Sequence, residues 1–226
     1  NRESKEAVEK LLALSSGARS RVYLDTIISP SYTTAIAQVI QLSGISGKGN
    51  NMILFEYSRT EPETLSEQLK NYDLISSTGF DICVLNTSYK GFGYRKEIHI
   101  WLSSNDFENS NLMILLAYII LGHPDWKKGE IKIFATVKEE QTESRKEELL
   151  DLIKSGRLPI SAANIQLISA DRPLHEVICE HSIDADLTII GFRGEDLNNK
   201  GIDIFMGYKD LGNILFVNAN EDKEIT

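Results

Sequence analysis

Residues 111–126 read NLMILLAYIILGHPDW. The unbroken apolar part, residues 112–121, is ten residues long. A membrane span needs about 20, so this stretch is expected to be a buried helix of a water-soluble domain. What flanks it decides the fold class. Before it comes EIHIWLS (97–103), and after the Gly-His-Pro-Asp-Trp break comes EIKIFATV (130–137). Both are β-branched and apolar on alternate and on successive positions, as strands covered on both faces are.

The same alternation continues outward. Residues 163–169 (ANIQLIS), 186–192 (DLTIIGF) and 213–218 (NILFVN) read as strands, with helices over 139–153 and 173–181. Residues 202–208 give no clear signal. On the N-terminal side, residues 21–29 (RVYLDTIIS), 51–57 (NMILFEY) and 80–86 (FDICVLN) read as strands. A helix follows Ser31, an N-cap candidate after Pro30, and another follows Pro62 with early acidic residues. Residues 2–14 form a further amphipathic helix, stopped at Ser15, Ser16 and Gly17. Strand–helix alternation with strands this apolar predicts an α/β, doubly wound, mostly parallel sheet. The Gly- and Tyr-containing loop 87–95 (TSYKGFGYR) divides two βα-repeating halves, 1–95 and 96–226.

The 226 residues carry a net charge of −9. Residues 1–95 hold ten basic and ten acidic side chains, so the whole negative excess falls in 96–226. An acidic surface repels phosphate backbones, and no nucleic-acid partner is expected. Cys83 and Cys179 sit in apolar runs without a CxxC partner and read as buried free thiols. The chain opens at Asn1 rather than Met, and a preceding segment is expected. No direct membrane insertion of the chain is expected.

Candidate chemistry is sparse. His175 and His181 are six residues apart; His175 and Cys179 are four apart but lack a second pair of ligands, so no metal site is expected. Asp184 and Asp186 stand at a strand entrance with no accompanying base or nucleophile. His99 alternates within a strand, and a satisfied half-buried histidine is expected. His123 sits at a helix C-terminus. Asp171 and Arg172 precede Pro173 and are expected to cap the next helix. Gly191-Phe192-Arg193-Gly194 follows a strand directly, the position of a phosphate-cradling loop. This is the one candidate cofactor site, and a structural turn is the preferred reading.

That loop resembles the G-x2-G-x9-G-[ST] pattern of universal stress proteins. The third glycine and the hydroxyl residue would fall at Ile204 and Phe205, where bulky side chains stand. Those proteins also carry an Asp at the tip of the opening strand, where this chain has Leu102-Ser103-Ser104. The fold is similar; the ATP site is broken twice, and no cofactor is expected.

Residues 49–55 (GNNMILF), 112–126, 173–190 (PLHEVICEHSIDADLTII) and 213–226 (NILFVNANEDKEIT) resemble, in order and spacing, the cytosolic C-terminal domain of cation-chloride cotransporters. The resemblance implies two halves, the second universal stress protein-like. It implies a non-catalytic regulatory and dimerisation domain, a homodimer following a twelve-helix membrane domain, on the cytoplasmic face of the cell membrane. The ions would bind in the membrane domain. The absence of long insertions points to a prokaryotic or minimal version. Phe92, Tyr94 and Trp126 are candidate dimer-interface residues, because aromatic side chains favour interface cores. The alternative is a free-standing universal stress protein-like nucleotide-binding protein, using Gly191 and Gly194.

Overall fold

The computed structural model describes residues 2–16, 26–42, 44, 49–103, 107–137, 161–169, 171–221 and 223. Helix α1 (Arg2–Ser16) leads, then α2 (Tyr32–Val39), β1 (Met52–Ser58), α3 (Glu63–Leu69), α4 (Tyr72–Ser76) and β2 (Asp81–Thr87). The second series is β3 (Glu97–Leu102), α5 (Phe107–Leu121), β4 (Glu130–Val137), β5 (Ile165–Ser169), α6 (Leu174–His181), β6 (Leu187–Gly191), α7 (Gly194–Lys200) and β7 (Asn213–Asn218). Short 3-10 turns occupy Pro124–Trp126, Ala162–Asn164 and Gly201–Phe205.

All seven strands join one sheet in the order β1-β2-β7-β6-β3-β4-β5. Every pairing is parallel except β2 with β7, which is antiparallel from Ile82↔Asn218 to Asn86↔Ile214. The two halves therefore share a sheet, and that antiparallel pair is where they meet.

Period-two alternation sorts the strand residues onto two faces. One core gathers Phe55, Tyr57, Ile82, Val84, Trp101, Phe134, Ile190 and Phe216 under Ile36 of α2, Leu65 of α3, Ile75 of α4, Ile178 of α6 and Leu197 of α7. The other gathers Cys83, Ile98, Ile100, Ile133, Ile189, Leu215 and Val217 under Leu112, Met113, Ile114 and Ala117 of α5. Both faces are buried, as the continuous apolar strands require.

Several expectations change. The helix expected after Pro62 is two, α3 and α4, because the chain turns at Asn71; its amide Nδ2 donates to the carbonyls of Glu67 and Gln68. Helix α7 went unread: its sequence GEDLNNK has no apolar period, and only Leu197 is buried. Ser31 does cap α2, accepting from Thr34 N at 3.2 Å. Thr26–Ser29 is not a strand, while 21–25 and the expected helix 139–153 lie outside the described residues. Asp171 and Arg172 do not cap α6, whose N-cap is Pro173; Arg172 pairs with Glu180 at 2.8 Å instead.

The expectation that the helix of 112–121 is enclosed on all sides is also corrected. Tyr118 is 45% and Ile119 60% exposed, and Leu116 is only partly buried. An amphipathic role is imposed by the fold on a helix whose sequence is apolar all round. Ile114, fully buried, is the better probe of this core. Ile114→Ala is expected to cost about 2–5 kcal/mol, the range for a buried large-to-small change, and Leu116→Ala less. Urea denaturation of both variants checks the order.

Candidate functional site

The Gly191–Gly194 turn leaves the C-terminal end of β6, where ligands bind in open α/β sheets. The first half of the chain fills it. A Cβ added at Gly194 would lie 2.5 Å from Tyr72 Oη and 2.7 Å from its Cε1, so glycine is required here by a neighbouring ring. Tyr72 Oη donates to Asn218 Oδ1 at 2.8 Å. The amides of Asn218 and Asn109 both donate to the carbonyl of Phe192 at 3.0 Å. Asn109 Oδ1 accepts from Ala219 N at 2.7 Å. The loop is thus tied to α4, α5 and the end of β7.

Its electrostatics oppose an anion. Arg193, the loop's cation, is held by Asp196 at 3.2 Å. Glu195 and Asp196 occupy the first turn of α7, where a phosphate would compete with two carboxylates for the helix dipole. Phe205, at the place of the hydroxyl residue in the stress-protein pattern, is buried against Phe192 and Phe216 at ring separations of 5.1 and 4.9 Å. Its carbonyl accepts from Tyr57 Oη at 3.1 Å. What remains beside Gly194 is a polar cleft of about 450 Å³ between Tyr72, Asn109, Glu195 and Asn220. A wider groove of about 860 Å³, floored by Ile190, Phe192 and Phe216 and rimmed by His175, Lys200 and Asp203, opens between α6 and α7.

At the other end of the strands, Asp186 organises the loop that joins the halves. Its buried carboxylate accepts from the backbone N–H groups of Tyr94 (2.8 Å), Lys96 (2.7 Å) and Glu97 (3.0 Å). Gly93, at φ 47°, lies so close to Asp186 Oδ1 that a Cβ there would overlap it. Nothing in the sequence distinguished Asp186 from its neighbour Asp184; its role exists only because β6 begins beside β3. Arg59 was likewise missed. At the end of β1 it donates to the carbonyls of Lys209, Leu211 and Gly212 and to Asn86 Oδ1.

The candidate interface aromatics separate. Trp126 is 6% exposed and packs edge-on to Phe92 at 6.1 Å, within the α5 core. Tyr94 is 87% exposed. His123 accepts from Asp125 N and caps the turn Pro124–Trp126. His175 and His181 are not brought into a cluster; among the described residues no group of three or more His, Cys, Asp or Glu could hold a metal ion. Burial pushes the Cys83 thiol up to about 12 and raises that of Cys179, so neither offers a ready thiolate.

One chain of polar groups has the order of a catalytic relay. Glu97 Oε2 lies 3.0 Å from His99 Nε2, and His99 Nδ1 lies 2.9 Å from Ser182 Oγ. Ser182 is fully buried, however, and its Oγ already accepts from Trp101 Nε1 at 2.8 Å. A nucleophile must be reachable by its substrate, and this one is not. Lys132, 2.8 Å from Glu97, holds the carboxylate ionised, so His99 donates from Nε2 and accepts the Ser182 proton at Nδ1. Each hydrogen then has one acceptor, and the chain is a structural strut between β3 and the end of α6.

No family model matches the chain, and no curated protein matches it. Solved structures do. The cytoplasmic domain of a prokaryotic cation chloride cotransporter superposes with a TM-score of 0.64 at 16% identity, covering 96% of this chain and 81% of that one. A universal stress protein from Archaeoglobus fulgidus DSM 4304 superposes with a TM-score of 0.56 at 11% identity, covering 98% and 78%. At such identities the likeness is one of fold: the chain shares the architecture of both. No helix among the described residues is long and apolar enough to cross a membrane.

The strut sets a pH dependence. Burial lowers the His99 pKa below its usual 6.5, against the pull of Glu97. Across the window from 6.5 down to the folded value, the unfolded chain binds the extra proton, so stability falls with pH. For Glu97 burial acts upward, but the hydrogen bonds from Lys132 and His99 outweigh it and lower the pKa below 4.5. Its contribution is lost as pH falls from there through the folded value. Stability measured by urea denaturation is therefore expected to drop on acidification, the His99 contribution setting in below pH 6.5 and that of Glu97 below 4.5. His99→Gln should remove the loss that sets in first.

Proposed function

We propose that the chain is a non-catalytic cytosolic regulatory domain of a cation-chloride cotransporter, with symport carried by a membrane domain outside it. The observation that carries this is the fold match over 96% of the chain at a TM-score of 0.64, against 0.56 for the stress protein. The absence of an accessible nucleophile at Ser182 fits a role exerted by binding rather than chemistry. The coding sequence upstream of Asn1 is the direct test. Twelve apolar segments of membrane-spanning length are expected; an unrelated soluble domain there overturns the proposal.

The second reading, a nucleotide-binding stress protein, is favoured by the fold match over 98% of the chain to a universal stress protein. Tyr72 on Gly194, the carboxylates of α7 and buried Phe205 oppose it. Titration calorimetry with Mg-ATP and with AMP is expected to give no saturable heat at micromolar concentrations. Saturable heat lost on Gly191→Val would establish the stress-protein reading.

The proposed role includes self-association into a homodimer beside the membrane domain. Sedimentation of the isolated chain is expected to show dimer at high concentration. Monomer throughout would remove the dimer from the proposal.

A further inference from the structure

The acidic excess of this chain is not uniform over its surface. Two exposed segments meet at the edge where β3 and β4 begin. The backbone N–H of Glu130 donates to the carbonyl of Lys96 at 2.7 Å, and a Cβ at Gly129 would sit 3.3 Å from Arg95 O. The turn carrying Lys127 and Lys128 therefore runs alongside the loop carrying Tyr94, Arg95 and Lys96, and all five side chains are exposed.

Most carboxylates nearby are already engaged. Asp125 pairs with Arg95 at 2.8 Å, and Glu97 and Glu130 pair with Lys132 at 2.8 and 3.6 Å. Asp186 is buried on backbone N–H groups. Among the described residues no carboxylate pairs with Lys96, Lys127 or Lys128; Asp184 and Asp210, exposed and outside ion pairs, stand at the same end of the sheet, before β6, the neighbour of β3, and before β7. Two tyrosines project from the same loop, Tyr89 at 93% and Tyr94 at 87% exposure, and Lys96 Nζ stands 5.7 Å over the Tyr94 ring.

We propose that this edge is a peripheral docking surface for an anionic phospholipid bilayer, Lys96, Lys127 and Lys128 meeting the headgroups and Tyr94 the interface. Exposed tyrosines with adjacent basic residues match the two demands of that surface: amphipathic rings at headgroup depth and cations for the surface potential. The net charge of −9 does not forbid it. The opposite edge, with Glu108, Asp171, Glu195 and Glu221, lies about one strand away, six residues at roughly 3.3 Å each. Screening decays over about 8 Å at physiological salt, so the lipid feels the near edge. The inference rests on surface charge and holds whether or not the chain is a transporter tail.

Co-sedimentation of the isolated chain with phosphatidylcholine vesicles, with and without phosphatidylserine, tests it. Binding is expected only with phosphatidylserine and should weaken with salt. Each lysine contributes about a fivefold gain in partition, so Lys96→Gln should lower it about fivefold. The triple variant Lys96→Glu, Lys127→Glu, Lys128→Glu should abolish it with an unchanged melting midpoint. Tyr94→Ser should weaken it, and Lys200→Glu, in the last turn of α7 and outside the patch, should leave it unchanged. No binding at low salt, binding that survives the triple reversal, or equal loss with Lys200→Glu overturns the proposal. Poly-glutamate binding without vesicle binding would assign the patch to an acidic polypeptide and overturn it equally.

Discussion

The antiparallel pairing of β2 with β7 is the constraint on which the rest depends. A parallel two-stranded unit such as β1–β2 is not stable in water alone; it needs further strands or a covering layer. Here it borrows both. β7 supplies the third strand, and β6, β3, β4 and β5 continue the sheet. The seam is fastened at each end by polar side chains that reach across it. Arg59 gathers three carbonyls of residues 209–212, Asn213 accepts from Ser88 N, and Tyr57 bonds Phe205. At the other end Tyr72 bonds Asn218, and Asp81 accepts from Asn220 N and pairs with Lys223. Buried polar groups satisfied in this way specify one register rather than merely adding stability.

The seam also decides the fate of the glycine loop. In a sheet ending at β7, the turn 191–194 would face open solvent beside a helix N-terminus. With β1–β2 in place, α4 brings Tyr72 against Gly194, and the β1 side chain Tyr57 fixes the carbonyl of Phe205. The aromatic series Phe192, Phe205, Phe216 and Tyr208 then packs where a loop would otherwise have to approach a ligand. The same residues that hold the halves together thus also crowd the glycine loop.

The two ends of the strands carry opposite character. At the C-terminal ends lie acidic turns and the closed glycine loop; at the N-terminal ends lie Asp186, the loop it clamps and the basic surface around Lys96. A buried carboxylate with three N–H donors is a charge-assisted anchor, and it keeps residues 94–97 in one conformation despite positive φ at Gly91, Gly93 and Arg95. The anchor comes from Asp186, the residue before β6, about ninety residues further along the chain.

By itself, the sequence determined the class of fold and most of its elements. Period-two apolar runs at β1 to β7, the Ser31 cap and the unbroken apolar stretch in α5 are local signals, and each survives in the structure. It also determined that the third phosphate-loop position is occupied, because Ile204 and Phe205 are bulky wherever they are placed. Tertiary structure alone decided the rest. Burial of α5 on one side, with Tyr118 and Ile119 outside, depends on which of its sides the sheet covers. The division of α3 from α4 rests on the Asn71 turn, and α7 is seated by buried Leu197 and by the contact of Tyr72 on Gly194. Asp186, Arg59 and the Glu97–His99–Ser182 strut have no signature, since each acts on backbone or side chains about 27 to 150 residues away, apart from the Glu97–His99 contact. Residues that act locally are written in local pattern; residues that act across the sheet become visible only when strand order sets their neighbours.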